Sequence, residues 1–456
     1  MRKRTVKILT GVAVIVVALG LWYAIAVMVS ASKLRRAYAA LEKDGRPMRA
    51  ADILPPKISD IGNGALLYES AAFLLKVQSS PAMNQPDSRE HDLLGYMSAR
   101  ASEFMAGTLD PNKQAEFRQL TEKETVTSAL SAIKQGTQCP ACRFDCDYDH
   151  GASMNPHLVD LKNLARILAA KARMEAEAGR SEAAWDIALA QAKMADGLRA
   201  EPIIVSQLVR MATVALSCST IQKLCSATLP GNPQYDGLMS LLDTIEDVRP
   251  LVRAVDGDRL LSGEWLFTLP KGELYKQLRQ IIFPSYWSET ACRLQFHVIT
   301  FEPFFLSDHA AYLQLMRKHA QFLEQPFSIE QRDNLEKEWL AVPRRYRLTH
   351  TLMPAMARIK DIHCRVVADV RITRTGLALL RYRETHGNFP ETLDALRLRD
   401  VSDPFNGKPL VYRSDGRGFV VYSVGEDLKD NGGNPRQPKL KTDYDILWRF
   451  PSAETR

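Results

Sequence analysis

The chain has 456 residues, 46% hydrophobic and 25% charged, the proportions of an ordinary globular protein with room for two or three domains. Its 60 Lys and Arg against 53 Asp and Glu leave a net charge of +7, and the two signs interleave along the chain, which excludes a basic stripe for nucleic acid. Seven cysteines are too few for a disulfide scaffold, and their odd number leaves at least one thiol unpaired or paired between chains.

Residues 8–32 contain no Asp, Glu, Lys, Arg or His, and the run is long enough to cross a bilayer as a helix. Arg2, Lys3, Arg4 and Lys7 precede it, and positive charge at the short end favours keeping that end in the cytosol. The bulk of the chain is therefore expected on the periplasmic side of the cell membrane, held by one anchor helix. Ala24-Ile25-Ala26 has the small-x-small form of a signal-peptidase site, so cleavage is the competing expectation. The apolar run continues through Val27, Met28 and Val29, longer than the roughly 7–15 residues of a signal core, and this favours the uncleaved anchor. The partners expected on this reading are the membrane and an envelope protein, with no nucleic acid.

Residues 33–43 continue the helical pattern until Asp44-Gly45 and the prolines at 47, 55 and 56 stop it, so 33–60 reads as a juxtamembrane helix and linker. Residues 61–345 read as an α-helical domain. Helical spacing occupies 65–77, 92–105 and 113–133, with a polar, proline-containing loop at 79–88. Then comes Cys139-Pro-Ala-Cys142-Arg-Phe-Asp-Cys146-Asp-Tyr-Asp-His150, the densest set of potential ligands in the chain. Three readings stay open for it. Cys139, Cys142 and Cys146 form a disulfide with one spare thiol, or they join His150 around zinc, whose tetrahedron thiolates and imidazole complete. The third is a Cys-x-x-Cys redox pair, although no strand precedes it.

Residues 157–198 carry two apolar faces separated by Gly179-Arg180, which predicts a pair of helices packed on each other, similar to a single tetratricopeptide-type hairpin. A third apolar helix at 203–227 is expected to cover the pair and to bury Cys218 and Cys225. Helices follow at 235–253, 273–282, 308–323 and 328–340. Asp256-Gly-Asp-Arg259 and Glu264 read as a solvated loop or helix terminus, and the aromatics Trp287, Phe296, Phe301 and Tyr312 as a core seam or partner surface. No His-Glu-x-x-His, Gly-x-Ser-x-Gly or phosphate-binding glycine loop occurs, which points away from an enzyme.

Residues 354–386 predict a long helix closed by Gly387, followed by a short helix at 391–396 and three β-rich runs at 410–413, 419–424 and 446–450. Leu380-Arg-Tyr-Arg383, His386-Gly-Asn-Phe-Pro390, Asp403-Pro-Phe-Asn-Gly-Lys-Pro-Leu410 and Tyr422-Ser-Val-Gly425 lie in order along this part. With them, residues 377–450 resemble the globular domain of the type II secretion major pseudopilin, and also the C-terminal module of large membrane-anchored proteins of planctomycete-like bacteria. The pseudopilin resemblance implies calcium in the acidic loop, at the matching positions Asp427 and Asp445, with Asp430, Asn431 and Asp443 as nearby oxygen donors. Calcium accepts such ligands, and confined carboxylates repel one another without a cation. Two departures stand out: the anchor lies more than 300 residues upstream of the module, and no glutamate of the prepilin type follows its start. Assembly into a fibre by that family's route is therefore not expected.

The expectation is thus a mainly α protein: an N-terminal transmembrane helix (1–32), a helical middle domain, and a small α+β pseudopilin-like module with an antiparallel sheet (354–456). Its expected role is interaction or structure at the bacterial envelope, with links to secretion. The rival is an envelope hydrolase with its site near residues 139–157, which a thiol, a carboxylate and an imidazole gathered in one place would favour.

Overall fold

A computed structural model of the chain describes residues 2–77, 93–148, 155–353, 356–435 and 444–451, and the fold is mainly helical with one small antiparallel sheet. The N-terminal helix runs unbroken over Arg2–Lys43. Its apolar stretch is bare: Leu9, Ile15, Leu21 and Trp22 are all exposed, and the rest of the chain buries none of its most apolar window. Apolar side chains exposed around a whole helix suit lipid, not water. A second helix, Ile204–Leu224, is also long and apolar enough to cross a membrane, but it is mostly buried in the body.

Beyond the bare stretch the same helix is seated on the body. Ala37 and Leu41 are buried, and the helix packs along Glu302–Glu324. Ser307 donates to Ser30 at 2.9 Å, Tyr38 donates to Glu264 at 2.7 Å, and Arg317 grips Asp44 with two bonds of 2.6 and 3.0 Å. The N-terminal helix and the body are therefore joined through this seat at several points.

Gly64–Val77 packs on Glu124–Gly136, and Leu93–Ala106 on Pro156–Glu177. The pattern over 113–133 resolves into two helices, Pro111–Thr121 and Glu124–Gly136; Asp110 caps the first through the N–H of Asn112, with Pro111 at its first position. Likewise 235–253 divides into Asn232–Ile245 and Arg249–Asp258, the second opening on Pro250. A proline near a helix start gives up no intrahelical bond, so Pro250 marks a beginning inside the pattern 235–253 and divides it into two helices. The helices Pro156–Glu177 and Ser181–Asp196 pack side by side, and Ile204–Leu224 lies across both. Ala172, Ala184, Ala188 and Ala192 are fully buried there, and their small side chains permit close approach.

The stretch 256–264, expected as a solvated loop or helix terminus, does hold a helix end at Asp258, but it is largely buried and not solvated. Arg249–Asp258 runs into a π-helical turn, Arg259–Glu264, and Arg259 is only 1% exposed. Its guanidinium donates to Glu264 and to the carbonyl of Pro47, while Arg46 reaches Asp256 at 3.4 Å. These charges look solvated in the sequence because their partners lie about two hundred residues away, in the segment after the anchor. The wide turn accommodates Tyr312: a Cβ on Gly263 would lie 2.0 Å from its hydroxyl.

The C-terminal helix, Ile359–His386, ends where Gly387 takes a left-handed φ of 80°. Strands β1 (Val411–Ser414), β2 (Phe419–Ser423) and β3 (Ile446–Phe450) form an antiparallel sheet in the order β1-β2-β3, with Val421 opposite Trp448. The sheet covers one side of the C-terminal helix, and Ile204–Leu224 and Asn232–Ile245 cover another. One apolar core therefore runs from Ala37 and Leu41 through the body to Trp448.

Candidate metal centre

Three separate stretches of chain meet beside the start of Gly64–Val77. The first is the cysteine segment. Asn63 accepts the N–H of Arg143 at 2.9 Å and donates to its carbonyl at 2.8 Å, while Gly64 N–H donates to Ala141 at 2.8 Å, so residues 141–143 are pinned like a short strand. The second is the N-terminus of Pro156–Glu177, where Pro156 takes the first position and presents His157 at the next. Phe144 stacks on the His157 ring at 4.2 Å and 7°, which fixes the plane of the imidazole. The third is the turn between Ser181–Asp196 and Ile204–Leu224. Gln207 donates to the carbonyls of Leu198 and Glu201 at 2.8 and 2.9 Å, holding this turn closed ahead of Pro202.

The outcome is a triad of unlike ligands. Cys146 Sγ, His157 Nε2 and a Glu201 carboxylate oxygen all lie within 4.8 Å of one another, and His157 Nε2 meets Glu201 Oε1 at 2.7 Å. His157 and Glu201 are 7% and 5% exposed, and Glu201 Oε2 is buried with no hydrogen-bond partner among the described residues. Burial, then the charge of Glu201, push the Cys146 thiol up to about 11, against a weaker opposing hydrogen bond from Tyr148. Burial raises Glu69 as well, with His157 opposing.

Thiolate, imidazole and carboxylate are the three zinc ligand types, and three protein ligands leave one tetrahedral position open. Ligand atoms about 2 Å from a zinc ion sit roughly 3.3 Å apart, so closing on an ion needs the thiol to approach and the His157–Glu201 pair to part slightly. The same three groups in another arrangement would serve as a cysteine nucleophile with its base and orienter. Reactive thiols, however, are lowered by their surroundings, and this one is raised.

Of the residues singled out from sequence, Cys146 enters the cluster. Cys139 turns its thiol to the Gln135 carbonyl at 3.7 Å, and burial pushes the neighbouring Cys142 up to about 12. All seven thiols are unbridged, so the disulfide reading of residues 139–146 finds no bond in the structure; the segment is held by Asn63 instead. His150 lies outside the described residues. Glu201 escaped the sequence reading, and His157 entered it only as the far bound of the rival site at residues 139–157, because 44 residues separate the two and no spacing rule links a helix start to an interhelical turn. The one local signal was a histidine and a glutamate each set beside a proline, Pro156 and Pro202.

In the C-terminal loop, Asp445 accepts N–H groups of Gly433 and Asn431 at 2.7 and 3.3 Å, and Asp430 accepts Gly432 N–H and the Tyr422 hydroxyl, both at 2.8 Å. Asp427 accepts Lys429 N–H at 3.0 Å and the Asn431 side chain at 3.2 Å. Asp443 lies outside the described residues. No family model, curated protein or solved structure matches this chain.

Proposed function

We propose that the chain is a membrane-anchored envelope protein whose helical body, on the periplasmic side, holds a zinc ion at Cys146, His157 and Glu201. One observation carries the reading: a half-buried thiol beside a buried imidazole and carboxylate, with ligand atoms within 4.8 Å and one carboxylate oxygen that has no hydrogen-bond partner among the described residues. Such an oxygen costs about 1–3 kcal/mol, and a cation removes that cost. Calcium and magnesium prefer oxygen ligands alone, whereas sulfur and nitrogen select zinc. An ion held by these three groups, with a water as its fourth ligand, would supply a Lewis acid and an activated water, which is the chemistry of the enzyme reading. The basic N-terminal tip supports the assigned side of the membrane.

The test is metal content in the detergent-purified full chain. It should carry about one zinc ion, lost in Glu201→Ala and Cys146→Ala and kept in Cys139→Ala. Cobalt in place of zinc should give a thiolate charge-transfer band that disappears in Cys146→Ala. Unchanged zinc in both ligand variants would sink the assignment.

The pseudopilin resemblance carries a second reading, calcium at Asp427 and Asp445. Asn431 brings the two carboxylates to one place in the loop by donating to both, through its backbone N–H at 3.3 Å and its side chain at 3.2 Å, bonds that an incoming cation would replace. Calcium should then raise the melting temperature of the zinc-loaded chain more than magnesium does, and equal melting in the two salts would remove the reading.

A further inference from the structure

The anchor helix meets the body earlier than its composition requires. Trp22 stacks on Phe301 at 6.5 Å and 17°, Tyr23 lies over the same ring at 5.8 Å, and the Tyr23 hydroxyl donates to Glu302 at 2.6 Å. Both aromatics sit inside the uncharged run 8–32, and the first charged residue after them is Lys33. The stretch 8–21, below this contact, spans only about 21 Å at 1.5 Å per residue. A hydrocarbon core is about 30 Å thick. A bilayer of ordinary thickness that covers the apolar run therefore reaches past Trp22, and whatever packs on Trp22 goes into it.

The part of the body at that level is suited to immersion. It is the corner between Glu289–Ile299 and Glu302–Glu324. Val298 is exposed, Phe301 and Phe304 are half-buried, and their rings meet edge to face at 5.0 Å. Glu302, the one acid of the corner, enters with the Tyr23 hydroxyl as its partner. Arg345 lies over the Phe304 ring at 5.0 Å with its neighbour Arg344 exposed, and Lys33, Arg35 and Arg36 are exposed just past the anchor's apolar run. Aromatic side chains at the interface with arginine and lysine above them match the depth profile of a bilayer, where cations reach the headgroup phosphates.

We propose that the corner at residues 298–304 is a second membrane foot, inserted beside the anchor into the leaflet facing the body. The body thus lies against the bilayer and is not held off on a stalk. This rests on the anchor spanning the membrane, and the experiment separates the two.

The full chain is reconstituted in vesicles of phosphatidylcholine and phosphatidylglycerol, with benzoylphenylalanine replacing Val298, Phe304 or, as control, Phe73, which is exposed on Gly64–Val77. After illumination, mass spectrometry should find about tenfold more lipid adduct at 298 and 304 than at 73. A chain that resists carbonate extraction yet gives no adduct at 298 and 304, or equal adduct at 73, overturns the foot and leaves the anchor standing. Release by carbonate overturns the anchor and the foot together.

Discussion

Asp258 shows how far one residue's surroundings can depart from its local sequence. Its carboxylate accepts the N–H of Ile204 at 3.0 Å and the hydroxyl of Ser262 at 3.4 Å, and burial pushes it up to about 7. Burial also raises Asp369 to about 7 and Asp308 to about 6. Between the ordinary carboxyl range and these values the folded chain keeps protons that the unfolded chain has released. Stability should therefore fall as pH rises from about 4 to 7, because the native state binds more protons there. Denaturant unfolding in detergent across that window should show the decline, and Asp258→Asn should flatten it by up to about 1.4 kcal/mol per pH unit. A slope unchanged by the substitution would mean that Asp258 is ionised in the fold. The sequence marked Asp256, Asp258, Arg259 and Glu264 as a charged group but gave no sign of burial, since Tyr38 and Arg46, more than two hundred residues earlier in the chain, complete the network.

At the scale of elements, the C-terminal helix and the sheet meet at one close contact. A Cβ on Gly376 would lie 2.0 Å from the indole of Trp448, so even alanine there forces helix and sheet apart. Gly376→Ala should cost about 1–3 kcal/mol or more by overpacking. Trp448→Leu alone leaves a cavity, yet in the Gly376→Ala background it should recover part of the loss. Additive losses in that double-mutant cycle would show that the two residues do not share the contact. Strand alternation and the turn at Ser414-Asp415-Gly416 were legible in the sequence, and β3 falls on the residues expected of it. That the opposite side of the same helix would be covered by Ile204–Leu224 was not legible, because an all-round apolar helix does not name its neighbours.

At the scale of the molecule, the N-terminal helix, much of the helical body and the C-terminal sheet share one core, which the N-terminal helix enters at Ala37 and Leu41, while Gly64–Val77 and the helices packed on it enclose a second. Movement of the body relative to the N-terminal helix would have to break the bonds of Ser30, Tyr38 and Asp44 together. The basic residues at the N-terminal tip predict which side the body occupies. Protease added to intact spheroplasts should remove a C-terminal tag, and full protection of that tag would reverse the topology.

The sequence by itself determined the long apolar N-terminal helix, the helical character of the body, most helix positions and the three strands. These depend on the spacing of apolar residues, on prolines and on glycine stops, all short-range signals. Only the tertiary structure decided which thiol faces an imidazole and a carboxylate, which charges are buried, and where the body touches the anchor. Cys146, His157 and Glu201 come together because two helix junctions and an asparagine-pinned segment converge, and that convergence depends on how the helices pack, which no local period encodes.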